Sequence, residues 1–164
     1  MKLTDISTIR QLFEKHGFSF TKSLGQNFLI NPTVCPKIAE MGGAGENVGA
    51  IEIGTGIGVL TRELAERCEK VVAIEIDTGL KPILDETLEE YDNVEVIFAD
   101  VMETDLNKLI AEKFPGMDVI VCANLPYYIT SPVIMKLLEE KLPIKAITVM
   151  VQLEAADRIC AAVG

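Results

Sequence analysis

A doubly wound α/β fold with a mostly parallel sheet is predicted for this chain by three features. Five short apolar runs alternate with helical patterns. The first run empties into a glycine-rich loop, and each of the first four ends at a glycine or polar residue: Gly54, Glu75, Asp100 and Asn124. Strands that read as continuous apolar runs are buried on both faces, as in a parallel sheet covered by helices on each side.

The elements follow in order. Ile6, Ile9, Leu12 and Phe13 repeat at helical spacing between Asp5 and His16, and Gly17 closes the pattern. Residues 18–29 read as irregular. Asn31-Pro32 then starts a second short helix, with Asn as cap and Pro at the first helical position, ending at Met41-Gly42-Gly43. The alternation begins with strand 50–53 and helix Val59 to Arg67. Strand 71–76 precedes an acidic helix over roughly 79–91, and strand 94–98 leads to a helix over 105–113. Strand 118–122 runs on to Asn124, before a helix from Ser131-Pro132 to Glu140. Strand 146–151 and a helical pattern from Glu154 complete the chain. That last helix has no evident partner strand, so the chain reads as truncated and strand 146–151 as an uncovered sheet edge.

Composition narrows the function. At 164 residues, 49% apolar and 24% charged, this is one ordinary globular unit. No apolar run approaches the roughly 18 residues of a membrane span, and the N-terminus lacks a signal-peptide core. Cys35, Cys68, Cys122 and Cys160 are too far apart for a Cys-x-x-Cys motif. They read as reduced, buried thiols of a cytoplasmic protein, and no metal site is expected. A net charge of −10 argues against a general nucleic-acid binder. Its distribution qualifies that, since residues 1–41 carry five Lys/Arg and three Asp/Glu, a net +2 before an acidic body of −12. Solvated surface is the plain reading of that acid. Lone His16, at the end of the first helix, reads as a surface or capping residue.

In such a sheet, ligands bind beyond the carboxyl ends of the strands, where the strand order switches. Gly54, Gly56 and Gly58 are spaced G-x-G-x-G; the dinucleotide fingerprint G-x-G-x-x-G needs glycine at 59, where Val59 stands. Alone, the loop is as well explained by a tight strand-to-helix turn. Glu52 precedes it, however, and Glu75 ends the next strand, where a carboxylate can accept ribose hydroxyls. Together they point to an adenosine-containing cofactor. Asn124-Leu125-Pro126-Tyr127-Tyr128 is the most specific element, and its resemblance to an amino-methyltransferase motif implies the chemistry of each residue. The Asn124 amide oxygen and the Leu125 carbonyl can accept both N–H bonds of an aromatic amine and localise its delocalised lone pair. Pro126 stiffens the turn, and Tyr127 can stack on an extruded base, worth about 1–3 kcal/mol. The alternative is an Asn-x-Pro turn with two packed tyrosines.

The Glu-x-Gly-x-Gly-x-Gly run followed by an acid at the next strand end resembles the cofactor site of class I, Rossmann-like methyltransferases. That resemblance implies S-adenosylmethionine rather than NAD, and it places Asp100 at the adenine amine; otherwise Asp100 is a helix cap. The Asn124-to-Tyr128 run is similar to the Asn/Asp-Pro-Pro-Tyr motif of amino-methyltransferases. Lys22-Ser23-Leu24-Gly25-Gln26-Asn27-Phe28-Leu29, together with Asn124 through Pro132, resembles the ribosomal small-subunit adenine dimethyltransferases, the KsgA family. The family implies dimethylation of two adjacent adenines near the 3′ end of small-subunit rRNA. It also implies cofactor contacts from Asn27, Leu29, Gly54, Gly56, Glu75, Asp100 and Asn124. Residues 1–41 would then form a helical arm closing over the cofactor, and 42–164 the methyltransferase core. The family continues with further strands and a basic helical C-terminal domain, both lacking here, and is expected to work as a cytoplasmic monomer on the small ribosomal subunit. Gln152-Leu153-Glu154-Ala155 replaces the family's usual Gln-Lys-Glu-Val, which removes a possible RNA contact. Three rivals are weighed. The large-subunit rRNA methyltransferase of macrolide resistance shares Gln-Asn-Phe and Asn-x-Pro-Tyr. A non-catalytic RNA-binding assembly factor is opposed by intact Asn124 and Tyr127, and an NAD oxidoreductase by the glycine spacing.

Overall fold

The computed structural model describes residues 3, 5–17, 34–124 and 127–150. Helix α1 spans Ile6–Lys15 and α2 Val34–Met41. They precede β1 (Val48–Ile53), α3 (Val59–Arg67), β2 (Lys70–Glu75), α4 (Lys81–Thr87) and β3 (Val94–Phe98). Then come α5 (Leu106–Lys113), β4 (Asp118–Asn124), α6 (Tyr127–Glu139) and β5 (Ala146–Met150). One-turn 3-10 helices at Thr78–Leu80 and Val101–Glu103 follow β2 and β3.

The five strands form one sheet in the order β3-β2-β1-β4-β5, and every pairing is parallel. Strand side chains alternate between faces, and the core divides accordingly. Ile51, Ile53, Val72, Ile74, Val119 and Val121 pack with α5 and α6 through residues such as Leu106, Ile110, Val133 and Leu137. The intervening Ala50, Val71, Ile120 and Cys122 pack with Cys35, Ile38 and Ala39 of α2 and Leu60 and Leu64 of α3. A third cluster joins Ile9, Leu12 and Phe13 of α1 to Ile83 of α4 and to Ile57, inside the glycine loop. Strand order reverses between β1 and β4, so the switch point lies between their carboxyl ends.

Two sequence-based expectations shift. The acidic helix ends at Thr87, with Leu88 as its C-cap, rather than near 91. Asp85/Glu89 and Glu86/Glu90 would set like charges four residues apart along a longer helix, which opposes its continuation. Helix α6 begins at Tyr127, so the Ser131-Pro132 start signal falls inside it. Because β4 continues to Asn124, only two residues separate strand from helix. His16 is the C-cap residue of α1, and its half-buried ring also pairs with Glu86 Oε2 at 2.7 Å, beside Lys15 Nζ on Oε1 at 2.7 Å. Strand β5 forms one edge of the described sheet. Cys35, Cys68 and Cys122 are free and buried. The 18–29 segment, the start of the second helix, the 154–164 pattern and Cys160 lie outside the described residues.

Candidate active site at the carboxyl edge of the sheet

The glycine loop leaves β1 with the Gly54 amide still donating to Ile74 O at 2.9 Å, so it extends the β1–β2 ladder before turning. Gly54, Gly56 and Gly58 all have positive φ, at 80°, 54° and 96°. That conformation is strained for a side chain. At Gly58 an added Cβ would also come within 3.0 Å of Thr87 Oγ1. Between the glycines, Ile57 is fully buried against α1 and α4 and anchors the loop from behind.

Two acids flank the loop. Glu52 is buried beside α3, where Thr61 Oγ1 donates to its Oε1. Burial pushes its carboxyl up to about 8, against the opposing pull of the Thr61 hydrogen bond; nearby Glu75 adds to the rise. Glu52 is therefore largely neutral at pH 7. One oxygen of Glu75, Oε1, accepts from the Thr55 amide and hydroxyl, both at 2.9 Å, and from the Gly56 amide at 3.3 Å. Oε2 accepts from the Asp77 amide at 2.9 Å.

Asp100 follows β3 and caps the 3-10 turn, its Oδ1 accepting from Met102 N at 2.9 Å. Capping and ligand contact were both open from sequence; the cap is formed, and Asp100 remains half-exposed. Asn124 is the last residue of β4, in register with Met150 of β5, and Tyr127 opens α6. Asn27, Leu29, Leu125 and Pro126 lie outside the described residues. Sequence reasoning missed two exposed apolar side chains at the same edge, Ile76 (64% exposed), directly after Glu75, and Met102, two residues past Asp100. An apolar residue directly after the strand-end acid was the available signal.

Across the sheet the site residues therefore follow the order Asp100, Glu75, glycine loop, Asn124. Four adjacent strand ends span about 14 Å at the usual interstrand spacing. Residues 17–164 match the family model described as ribosomal RNA adenine dimethylase. The chain belongs to the ribosomal RNA adenine dimethylase family. It is 52% identical, over 98% of its length, to ribosomal RNA small subunit methyltransferase A of Geobacillus sp. (strain WCH70), covering 56% of that protein. Against the protein of that name from Alkaliphilus oremlandii the identity is 54%, over 94% of this chain and 54% of the relative. The chain thus spans about half the length of the curated relatives it matches. A dimethyladenosine transferase from Plasmodium falciparum superposes with a TM-score of 0.65 at 33% identity, over 79% of this chain and 45% of that one. The 23S rRNA methyltransferase ErmE gives 0.68 at 31% identity, over 82% and 51%. The adenine dimethylase fold is accordingly the class I, Rossmann-like methyltransferase fold expected from the sequence. Among the described residues, no group of three or more His, Cys, Asp and Glu is placed to hold a metal, and no helix is long and apolar enough to cross a membrane.

Proposed function

We propose that this chain carries the cofactor-binding and catalytic part of an enzyme that dimethylates the N6 amines of two adjacent adenines near the 3′ end of small-subunit rRNA, using S-adenosylmethionine. The observation that carries the reading is the order of chemistry along the sheet edge. An acid for the adenine amine (Asp100), an acid for the ribose (Glu75), a backbone loop open to close approach (Gly54, Gly56) and an amine acceptor (Asn124) follow one another across the switch point. Glu75 fits the ribose role because Oε2 has one protein donor and room for another. Ile76 and Met102 offer apolar surface for the faces of an adenine ring.

When bound, S-adenosylmethionine supplies an electrophilic methyl group on a sulfonium. The chain's own residues prepare the acceptor. Asn124 Oδ1 and the Leu125 carbonyl accept the two N–H bonds of the target amine, drawing its lone pair out of conjugation, while Pro126 holds the turn and Tyr127 stacks on the base. In this reading Asn27 and Leu29 contact the cofactor, and the N-terminal arm, residues 1–41, closes over it. The enzyme acts on small ribosomal subunits as a cytoplasmic monomer; three buried free thiols support a reducing compartment.

The test is Asn124→Ala in the full-length protein, with unmodified small subunits and labelled cofactor. Methyl incorporation is expected to fall roughly a hundredfold or more, the scale of losing one preorganised polar contact to the reacting group. Methylation at the parental rate would refute the amine-activation role. A second reading, adenine methylation of large-subunit rRNA, draws on the ErmE likeness. Mapping the methylated nucleotides after reaction with each subunit separates the two.

A further inference from the structure

Glu75 is held in place by the loop it serves. Its Oε1 receives three donors, two of them from Thr55, while Oε2 receives only the Asp77 amide. A carboxylate oxygen offers about two lone-pair directions, so Oε1 is filled by the protein and Oε2 retains acceptor capacity. Thr55 and Glu75 are both buried, at 6% exposure, so their bonds are shielded from competing water. The Thr55 hydroxyl has one proton and two acceptors in reach, Glu75 Oε1 at 2.9 Å and Gly56 O at 3.1 Å. The charged carboxylate is the stronger acceptor.

We propose that Thr55 is a positioning residue for cofactor binding: by filling Oε1 it fixes the rotation of the Glu75 carboxylate and turns Oε2 toward a ribose hydroxyl. The inference rests on the reading of the site as a nucleoside-cofactor site and adds the residue that sets its ribose grip. Glu75 then engages ribose in a preset orientation, and the glycine loop and β2 act as one unit. The motif carries this role at its one non-glycine position between Gly54 and Gly56.

The experiment is calorimetry of the full-length protein with S-adenosylhomocysteine and with its 2′,3′-dideoxyribose analogue. Thr55→Val keeps the side-chain shape and removes the hydroxyl. It should weaken S-adenosylhomocysteine binding about tenfold, the scale of a hydrogen bond to a charged group, and Thr55→Ser should restore it to within about twofold. With the dideoxy analogue, parent and Thr55→Val should bind alike, since no hydroxyl reads the carboxylate's orientation; a loss from general loop damage would persist. Equal S-adenosylhomocysteine affinity in parent and Thr55→Val overturns the proposal, as does an undiminished loss with the analogue or a failed serine rescue. A parent protein that takes up no S-adenosylhomocysteine overturns the cofactor reading itself, and this inference with it.

Discussion

Glu52 and Glu75 are both buried acids beside one loop, and their surroundings treat them in opposite ways. Glu75 collects four hydrogen-bond donations, three of them from backbone amides. Glu52 has the Thr61 hydroxyl against full burial. A carboxyl whose folded value lies above its unfolded one favours the folded state when protonated. Its contribution is therefore complete below about pH 4.5 and is lost as pH rises through about 8. Over that window the loss approaches about 1.4 kcal/mol per pH unit. Glu52→Gln should flatten this decline: denaturant titrations at pH 9 should show the variant more stable than the parent, with the gap closing near pH 4. A parent stability unchanged between pH 5 and 9 would mean that Glu52 is already ionised in the fold. The buried thiols follow the same physics, since burial pushes Cys35 and Cys122 up to about 12 and leaves them unreactive at neutral pH.

At the scale of elements, α1 supports the site from outside. Phe13 and Ile9 cover Ile57, and Lys15 and His16 clasp Glu86 of α4. Phe13→Ala should cost about 3–5 kcal/mol if the helix stays docked, read by denaturation, and should weaken cofactor affinity because Ile57 loses its backing. The clasp adds a pH sign of its own. The Lys15 and His16 hydrogen bonds hold Glu86 below the usual carboxylate value. Its stabilisation is present above that usual value and is lost as pH falls through the lowered one. Strand β1 depends on a different close approach, because a Cβ on Gly49 would lie 2.2 Å from Phe114 Cδ1. Gly49→Ala should destabilise the fold by about 1–3 kcal/mol, and Phe114→Leu in the same chain should recover part of that loss in a double-mutant cycle.

For the whole molecule, charge and cofactor chemistry separate. Asp100, Glu75 and the glycine loop all lie within this span, yet its net charge is −10, with −12 beyond residue 41. Each phosphate contact requires a nearby Lys or Arg. The 164-residue chain should therefore bind S-adenosylhomocysteine while methylating small subunits far more weakly than a protein of its relatives' length. Parallel calorimetry and labelled-methyl incorporation check this, and equal incorporation by the two would place the RNA grip inside this span.

Local signals fixed much of this protein in advance. Helix α3 and strand β3 match their sequence-based boundaries to the residue, because glycines or polar turns bracket each apolar pattern. The G-x-G-x-G loop, Glu75, Asp100 and Asn124 were legible because they punctuate strand ends, where the backbone stops pairing. Tertiary structure alone decided the order β3-β2-β1-β4-β5, which sets those residues side by side. It also decided the state of each acid. Burial neutralises Glu52, while Thr55, 20 positions away from Glu75, orients that carboxylate, and Glu86 meets His16 across 70 positions. Such contacts depend on how separate elements close on one another, which periodicity along the chain does not encode.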